Sequence, residues 1–479
     1  VADHPELAGR LRVMDTDSWP ADHATHVAGT IAASGRYDAR VRGMAPGALL
    51  YSYTYDGDVA GKMLSARRDH GVEISHNSWG EYVDEMLDNC GDYGGYSFLE
   101  HDLDRLVREQ GLSIVYAMGN DRSYPGCVIP PRNGFFTVGR PAAAKNVIAV
   151  GAVDTGFDIS TFSNIGPARD GRLKPDVVAL GVGVRSLSAK GSTMVGSGTS
   201  MSAPAVSGLL ALLRERFHMD HPEMNPSPAM LKAVVLNTAR DIGNPGPDYT
   251  FGYGIPDAQA AVAAVDAWQY WEGTAASGRE LRTIEVPPGA EALRVMLAWS
   301  DQEAAPEAYP SLVNDLDLQV TAPDGTVLLP LTLDPARPPA DAAPGVNRRD
   351  PVEQVLLRRP AAGTYTVGVL PASVPTGSQA FAVTWSFAPS EIPPCTTTFS
   401  TPQLELEPQA GTAIIDVMRA NQCSEWTLAS DSDWMTVPEG TKATGSAVVK
   451  VGYSGNDSGG ERHGKLTVDD RAVVVTQAP

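Results

Sequence analysis

The hydrophobic pattern of this chain changes period once, near Trp271, and that change restricts it to a fold with two kinds of layer. Before the change, short apolar runs at 48–53, 112–116, 146–150 and 176–180 alternate with helix-like stretches at 97–109, 203–218 and 228–241. Strands alternating with helices predict a parallel α/β sheet, because parallel strands need long crossovers and helices supply them. After it come short β-rich runs at 293–299, 316–321, 363–370 and 380–387. Pro323-Asp324-Gly325 reads as a turn between two of them, proline presetting φ and glycine accepting positive φ. This stretch predicts an all-β sandwich or jelly roll. Pro389, Pro393 and Pro394 mark a linker, and the remainder is again β-rich. The expected organisation is an α/β domain over 1–270, a β-sandwich over 271–388 and a β-module over 389–479.

The 479 residues suffice for two to four domains of ordinary size. A net charge of −20 argues against a nucleic-acid binder and against docking on anionic lipid. No apolar run approaches the length of a membrane span, so membrane insertion is not expected. The four cysteines fall into two local pairs, Cys90 with Cys127 and Cys395 with Cys423, and no CxxC suggests zinc. The pairing fits one disulfide in each of two domains and an oxidising compartment, with four buried thiols as the alternative. Val1 opens no signal peptide, so the chain is expected to be a processed or truncated piece of a longer precursor.

Four segments bring reactive side chains to the ends of these elements. Asp22-His23-Ala24-Thr25-His26 reads as a helix start that leaves one imidazole exposed, or as a capped helix with incidental histidines. Gly198-Thr199-Ser200-Met201-Ser202-Ala203-Pro204 is a tight turn entering a helix, with Pro204 tolerated in the first turn. Ser200 there points outward near the positive end of the helix dipole. It is either an N-cap or a nucleophile in need of a base, for which His23 is the candidate. The buried strand before Gly119-Asn120 ends in an amide that can donate to a developing oxyanion, or simply in a turn asparagine. Finally, Ile74-Ser75-His76-Asn77-Ser78-Trp79-Gly80 is a strand whose end can pair with an extended peptide.

In this order, and joined by Gly43-Met44-Ala45-Pro46, the segments resemble the subtilisin-like serine peptidases (subtilases) over about residues 1–268. The Gly-Thr-Ser-Met-Ser-Ala-Pro block is close to diagnostic. The resemblance implies Ser200 as nucleophile, His23 as general base and later acid, and Asn120 as oxyanion donor beside the Ser200 N–H. It implies that Ser78, Trp79 and Gly80 bind substrate residues before the scissile bond, that substrates are polypeptides and that catalysis needs no cofactor. His26 does not match the base. Two positions depart from the family. Ala24 stands where most members have glycine, and the catalytic aspartate is missing. The family places that aspartate several residues before a segment like His4-Pro5-Glu6-Leu7, so it is expected just before Val1. Asp3, Asp15 and Asp17 are the carboxylates at hand. Asp15-Thr16-Asp17 lies only eight residues before His23, and no apolar strand leads into it.

Residues 293–387 resemble the C-terminal β-domain of alkaline, oxidant-resistant bacterial subtilases and, more distantly, the P-domain of convertases. Leu297-Ala298-Trp299-Ser300-Asp301, Leu312-Val313-Asn314-Asp315-Leu316-Asp317-Leu318 and Val352-Glu353 carry the likeness. Asp301, Asn314, Asp315, Asp317 and Glu353 offer hard oxygens of the kind calcium takes. Asp315 and Asp317 are the candidate ligands of a structural calcium, with solvated loop carboxylates as the alternative. The last segment resembles immunoglobulin-like BACON modules through Trp426-Thr427-Leu428-Ala429-Ser430, Asp433-Trp434-Met435-Thr436-Val437 and its final strand. Such modules accompany secreted enzymes, which makes a glycan or cell-surface partner a candidate. Trp426 and Trp434 are expected first as core aromatics and only second as sugar platforms.

Residues 81–104 hold eight acidic residues and no Lys or Arg, which favours cationic substrates if the segment borders the cleft. A solvated acidic face is the plainer alternative. Met201 beside the nucleophile predicts sensitivity to oxidants. The expected function is a secreted serine endopeptidase, extracellular or periplasmic, working through an acyl-enzyme. The alternatives are a catalytically inactive binding protein on the same fold, should the aspartate be truly absent, and a peptidase-fold ligase.

Overall fold

The computed structural model describes residues 1, 3–15, 21–81, 83, 90–123, 134–387, 397–399, 403–418, 425–438, 441–443, 447–469 and 471–479. The chain divides into two compact units, residues 1–153 with 159–390, and 154–158 with 391–479.

In the first unit, β1 (Leu11–Val13) and β2 (Leu50–Ser52) form a small parallel pair. The main parallel sheet runs β3 (Ile74–Asn77), β4 (Ser113–Ala117), β5 (Ile148–Val153), β6 (Val177–Leu180) in that order. Alternation along the strands decides what covers each face. Ile114 and Tyr116 of β4, with Ala149 of β5, pack into one core with Met63, Leu103, Leu106 and Val107. Those four belong to α2 (Val59–His70) and α3 (Phe98–Gln110), the helices that follow α1 (Asp22–Ala32) in the chain. Val115, Ala117, Ile148 and Val150 pack into the other core, against α4 (Thr199–Asp220) and α5 (Pro228–Thr238). A strand covered on both faces has no polar side, which is why these runs are continuously apolar in sequence. The hairpin of β7 (Val184–Leu187) and β8 (Thr193–Gly196) leads into α4. Helix α1 lies on β7 so closely that a Cβ at Gly29 would come 2.5 Å from Leu187 Cγ.

Helix α5 starts at a Ser227 cap followed by Pro228, and residues 229–238 are buried all round. A helix apolar on every side needs cover on every side, and the β-sandwich gives it. After α6 (Ala258–Asp266) come β9 (Tyr270–Ala275), β10 (Glu280–Val286), β11 (Ala292–Ala298) and β12 (Asp315–Thr321). They are followed by β13 (Val327–Leu328), β14 (Leu331–Thr332), β15 (Ala343–Pro344), β16 (Val352–Arg358), β17 (Gly363–Ser373) and β18 (Gln379–Ser386). Sheets ordered β10-β17-β12-β13 and β16-β11-β18-β9 face each other. Leu293, Val295 and Leu297 of β11 fill the space between them with Leu316, Leu318 and Val320 of β12. The other face of β11, Met296 and Ala298, joins the core of α4 and α5. Segments 1–270 and 271–388 therefore share one core. Their seam also carries the Lys145–Asp301 ion pair, whose side chains are both 0% exposed.

The second unit is all-β, with two four-stranded sheets around Ile415, Val417, Val449, Val451, Leu466, Val473 and Val475. Trp426 is 1% exposed in this core, so it has no face to offer a sugar. Trp434 is half-buried, and the Arg462 guanidinium sits 4.4 Å from its ring centre. Cys127, Cys395 and Cys423 lie outside the described residues, and with them the expected pairings. Among the described residues no helix is long and apolar enough to cross a membrane.

Candidate active site

Three of the sequence-predicted groups meet at the mouth of α4. The helix begins after Gly198, whose φ of 150° favours glycine. With no side chain of its own at that cap, the first N–H finds an acceptor from elsewhere: Thr199 N donates to Asn120 Oδ1 at 2.8 Å. Thr199 Oγ1 donates to the same oxygen at 3.1 Å and accepts from Gly119 N at 3.2 Å. Asn164 secures the loop from its other side, donating its N–H to the Gly119 carbonyl at 3.0 Å and accepting from Asp121 N at 2.8 Å. With its carbonyl held, the Asn120 carboxamide presents its NH2 as a donor, and no described residue accepts from it. The Ser200 N–H also has no partner among the described residues, as the orphan donors of a first helical turn leave room for. Ser200 is 9% exposed, and its hydroxyl donates to the Ser78 carbonyl at 3.4 Å.

His23 is the second residue of α1 and is exposed on its solvent side. The protein packed around it strips hydration and lowers its pKa below the ordinary 6.5, favouring the neutral base. Its charge also contributes, after burial, to the lowered pKa values of His26 and His76. Among the described residues His23 makes no hydrogen bond and no ion pair. His26 is buried, with Nε2 on the Val184 carbonyl at 2.9 Å, a structural contact.

Among the described residues, none of the carboxylates near the start of the chain pairs with His23. Asp3 is exposed. Asp15 accepts from Thr54 N at 2.9 Å and Thr54 Oγ1 at 2.6 Å, and pairs with Lys62. These contacts, Thr54 first, hold its pKa down at about 2. Asp22 caps Ser188 and Ala189. Asp17 lies outside the described residues.

Ser78, Trp79 and Gly80 continue β3, an edge strand whose outer side is unpaired among the described residues. Ser78 Oγ donates to the Ser200 carbonyl at 2.9 Å. The Trp79 ring stands edge-on to Tyr116 at 5.4 Å and stacks on exposed Tyr55 at 6.1 Å. At Gly80 a Cβ would come 2.8 Å from the Arg140 carbonyl, which accepts from Glu81 N. In the acidic segment behind this strand, five of the described carboxylates have partners. Glu81, Asp92 and Glu100 surround Arg140, Asp102 pairs with Arg105, and buried Asp104 holds Tyr96 and Asn146. Asp84, Glu85 and Asp88 lie outside the described residues.

Asp315 and Asp317 both pair with Arg348, a guanidinium that supplies the positive charge a cation would bring. Asp301 faces Lys145, and buried Glu353 accepts from Leu318 N at 2.6 Å. Among the described residues no three acidic, histidine or cysteine side chains converge on a metal position. The clamp on Asn120 by Thr199 and the linkage of His76 to Ser78 have no periodic or compositional signal; only the Gly-Thr-Ser spacing hints at the first.

Residues 12–254 match the sequence profile of the Subtilase family. Over 267 residues, 54% of this chain, the sequence is 31% identical to subtilisin NAT of Bacillus subtilis subsp. natto, covering 62% of that protein. It is 30% identical to the subtilisin of Bacillus pumilus over 54% of this chain and 86% of that one. Among solved structures, the patellamide maturation protease PatA aligns at 26% identity with a TM-score of 0.44, over 55% of this chain and 92% of that chain.

Proposed function

The chain belongs to the subtilase family, and from that premise we propose that it is a secreted serine endopeptidase with Ser200 as nucleophile, His23 as base and Asn120 as oxyanion donor. The observation that carries this reading is the Asn120 carboxamide, fixed by Thr199 through its oxygen so that its NH2 faces the mouth of α4. The substrate strand lies along Ser78, Trp79 and Gly80, adding to the β3 edge. Ser200 Oγ turns from the Ser78 carbonyl, gives its proton to Nε2 of neutral His23 and attacks the peptide carbonyl. The oxygen that becomes negative accepts from Asn120 Nδ2 and the Ser200 N–H. The tetrahedral adduct collapses, and His23 returns the proton to the departing amine. Water then repeats the sequence on the acyl-enzyme. The spacing of the four cysteines fits one disulfide in each of two domains, and that accords with secretion.

A fluorophosphonate probe, with peptide mapping of a digested protein substrate, tests the reading. Labelling of Ser200 and new peptide termini are expected, both lost in Ser200→Ala. A folded chain whose Ser200 stays unlabelled and which releases no peptide would move it to the binding-protein reading.

A further inference from the structure

One imidazole at this site takes no part in the steps above. His76 is the third residue of β3, two positions before Ser78. Both of its ring nitrogens are engaged at 2.8 Å, Nδ1 with Ser207 Oγ and Nε2 with Ser78 Oγ. The direction of these bonds follows from their far end. Ser78 Oγ donates its single proton to the Ser200 carbonyl at 2.9 Å, so toward the ring it only accepts, and Nε2 carries the proton. Nδ1 is then bare and accepts from Ser207. Ser207 is 2% exposed and lies seven residues beyond Ser200, two turns along the same face of α4. His76 thus joins β3 to α4 at two heights. Burial, with the His23 charge adding to it, pushes its pKa down to about 3, so the same protonation persists through neutral pH.

We propose that His76 is a positioning residue of the reaction: with its ring proton on Nε2, it aligns Ser207, Ser78 and the Ser200 carbonyl in one directed relay, and so sets the nucleophile against the substrate strand. This rests on the peptidase reading of Ser200 and His23. A purely structural histidine would lower stability when removed and leave the turnover of each folded site alone. A positioning histidine lowers turnover per site.

Two variants and one spectrum of the full chain separate these outcomes. His76→Leu removes both nitrogens, while His76→Gln keeps one donor and one acceptor at comparable reach. With active sites counted by fluorophosphonate, His76→Leu is expected to lower kcat about 10- to 100-fold. KM should change less than about threefold, and His76→Gln should restore most of the rate. Unchanged kcat per site in His76→Leu, or a Gln variant as slow as the Leu variant, would overturn the positioning role. The tautomer is read without catalysis, from nitrogen-15 spectra of histidine-labelled wild-type protein. His76 should show a proton on Nε2, none on Nδ1, and no titration between about pH 5 and 9. A proton on Nδ1, or titration in that window, overturns the relay. If the spectrum is as expected but Ser200 cannot be labelled, the peptidase reading fails and takes the positioning role with it, while the relay itself stands.

Discussion

Replacing Asn120 by aspartate or by alanine separates its two jobs, because the two variants should rank in opposite orders for rate and for stability. The Asn120 carbonyl holds Thr199 N–H at 2.8 Å and Thr199 Oγ1 at 3.1 Å, and so caps α4 from outside the helix. An aspartate oxygen can keep both bonds, and its charge suits the helix N-terminus. Alanine loses them, at about 0.5–2 kcal/mol for a missing cap. Both variants lose the NH2 aimed at the oxyanion. The general cost of one such donor, known from a subtilisin, is about 2.7–4 kcal/mol, or about 10²–10³ in kcat. Aspartate adds repulsion between its own charge and the developing oxyanion. The expected order of kcat is wild type far above Asn120→Ala, with Asn120→Asp lowest, and KM nearly constant. The expected order of stability is wild type and Asn120→Asp together, with Asn120→Ala below. Site-titrated kcat on a peptide substrate and denaturant unfolding measure the two orders. An Asn120→Asp variant within tenfold of wild-type kcat would refute the donor role, and an Asn120→Ala variant of unchanged stability would refute the cap.

Lys145→Met should destabilise the first unit by about 3–5 kcal/mol in denaturant unfolding, since it leaves Asp301 charged at 0% exposure; a loss under about 1 kcal/mol would contradict a buried pair at the seam. Asp15 has a folded-state pKa of about 2, below its ordinary 3.8, so it adds stability above about pH 4 that is lost as pH falls through about 2. Asp15→Asn should flatten the stability curve in that window, and an unaltered slope would show that the Thr54 and Lys62 contacts do not form. Met201 is 5% exposed beside Ser200, so Met201→Leu should keep its activity after peroxide treatment that inactivates the wild type; equal loss in both would place the oxidant-sensitive group elsewhere. Arg348→Ala leaves Asp315 and Asp317 without their counter-charge. Millimolar calcium should then raise its Tm more than that of the wild type, and equal shifts would dissociate these carboxylates from cation binding.

The candidate site residues could be picked out because their signals are local. A glycine-rich turn entering a helix, a histidine at a helix start and an asparagine ending a buried strand are each read within a few residues. The elements followed for the same reason: the runs at 112–116 and 293–299 contain nearly all of β4 and β11. The partners of the acidic segment were not legible, because composition counts charges without their partners, and Arg140, which Glu81, Asp92 and Glu100 surround, lies outside the segment. That Asp315 and Asp317 share Arg348 as a counter-charge was not legible either, because Arg348 lies more than thirty positions along the chain.

By itself, then, the sequence determined which side chains are candidates for the site, which segments become strands and helices, and where the α/β pattern gives way to antiparallel sheets. Those depend on propensity, periodicity and turn chemistry, all short-range properties of the chain. Only the tertiary structure decided which end of the Asn120 amide is free, which ring nitrogen of His76 bears the proton, and that β11 is covered by α5 as well as by its own sandwich. Thr199 meets Asn120 across 79 positions and Ser207 meets His76 across 131. The direction of a hydrogen bond and the burial of a face belong to pairs of groups, and folding alone brings those pairs together.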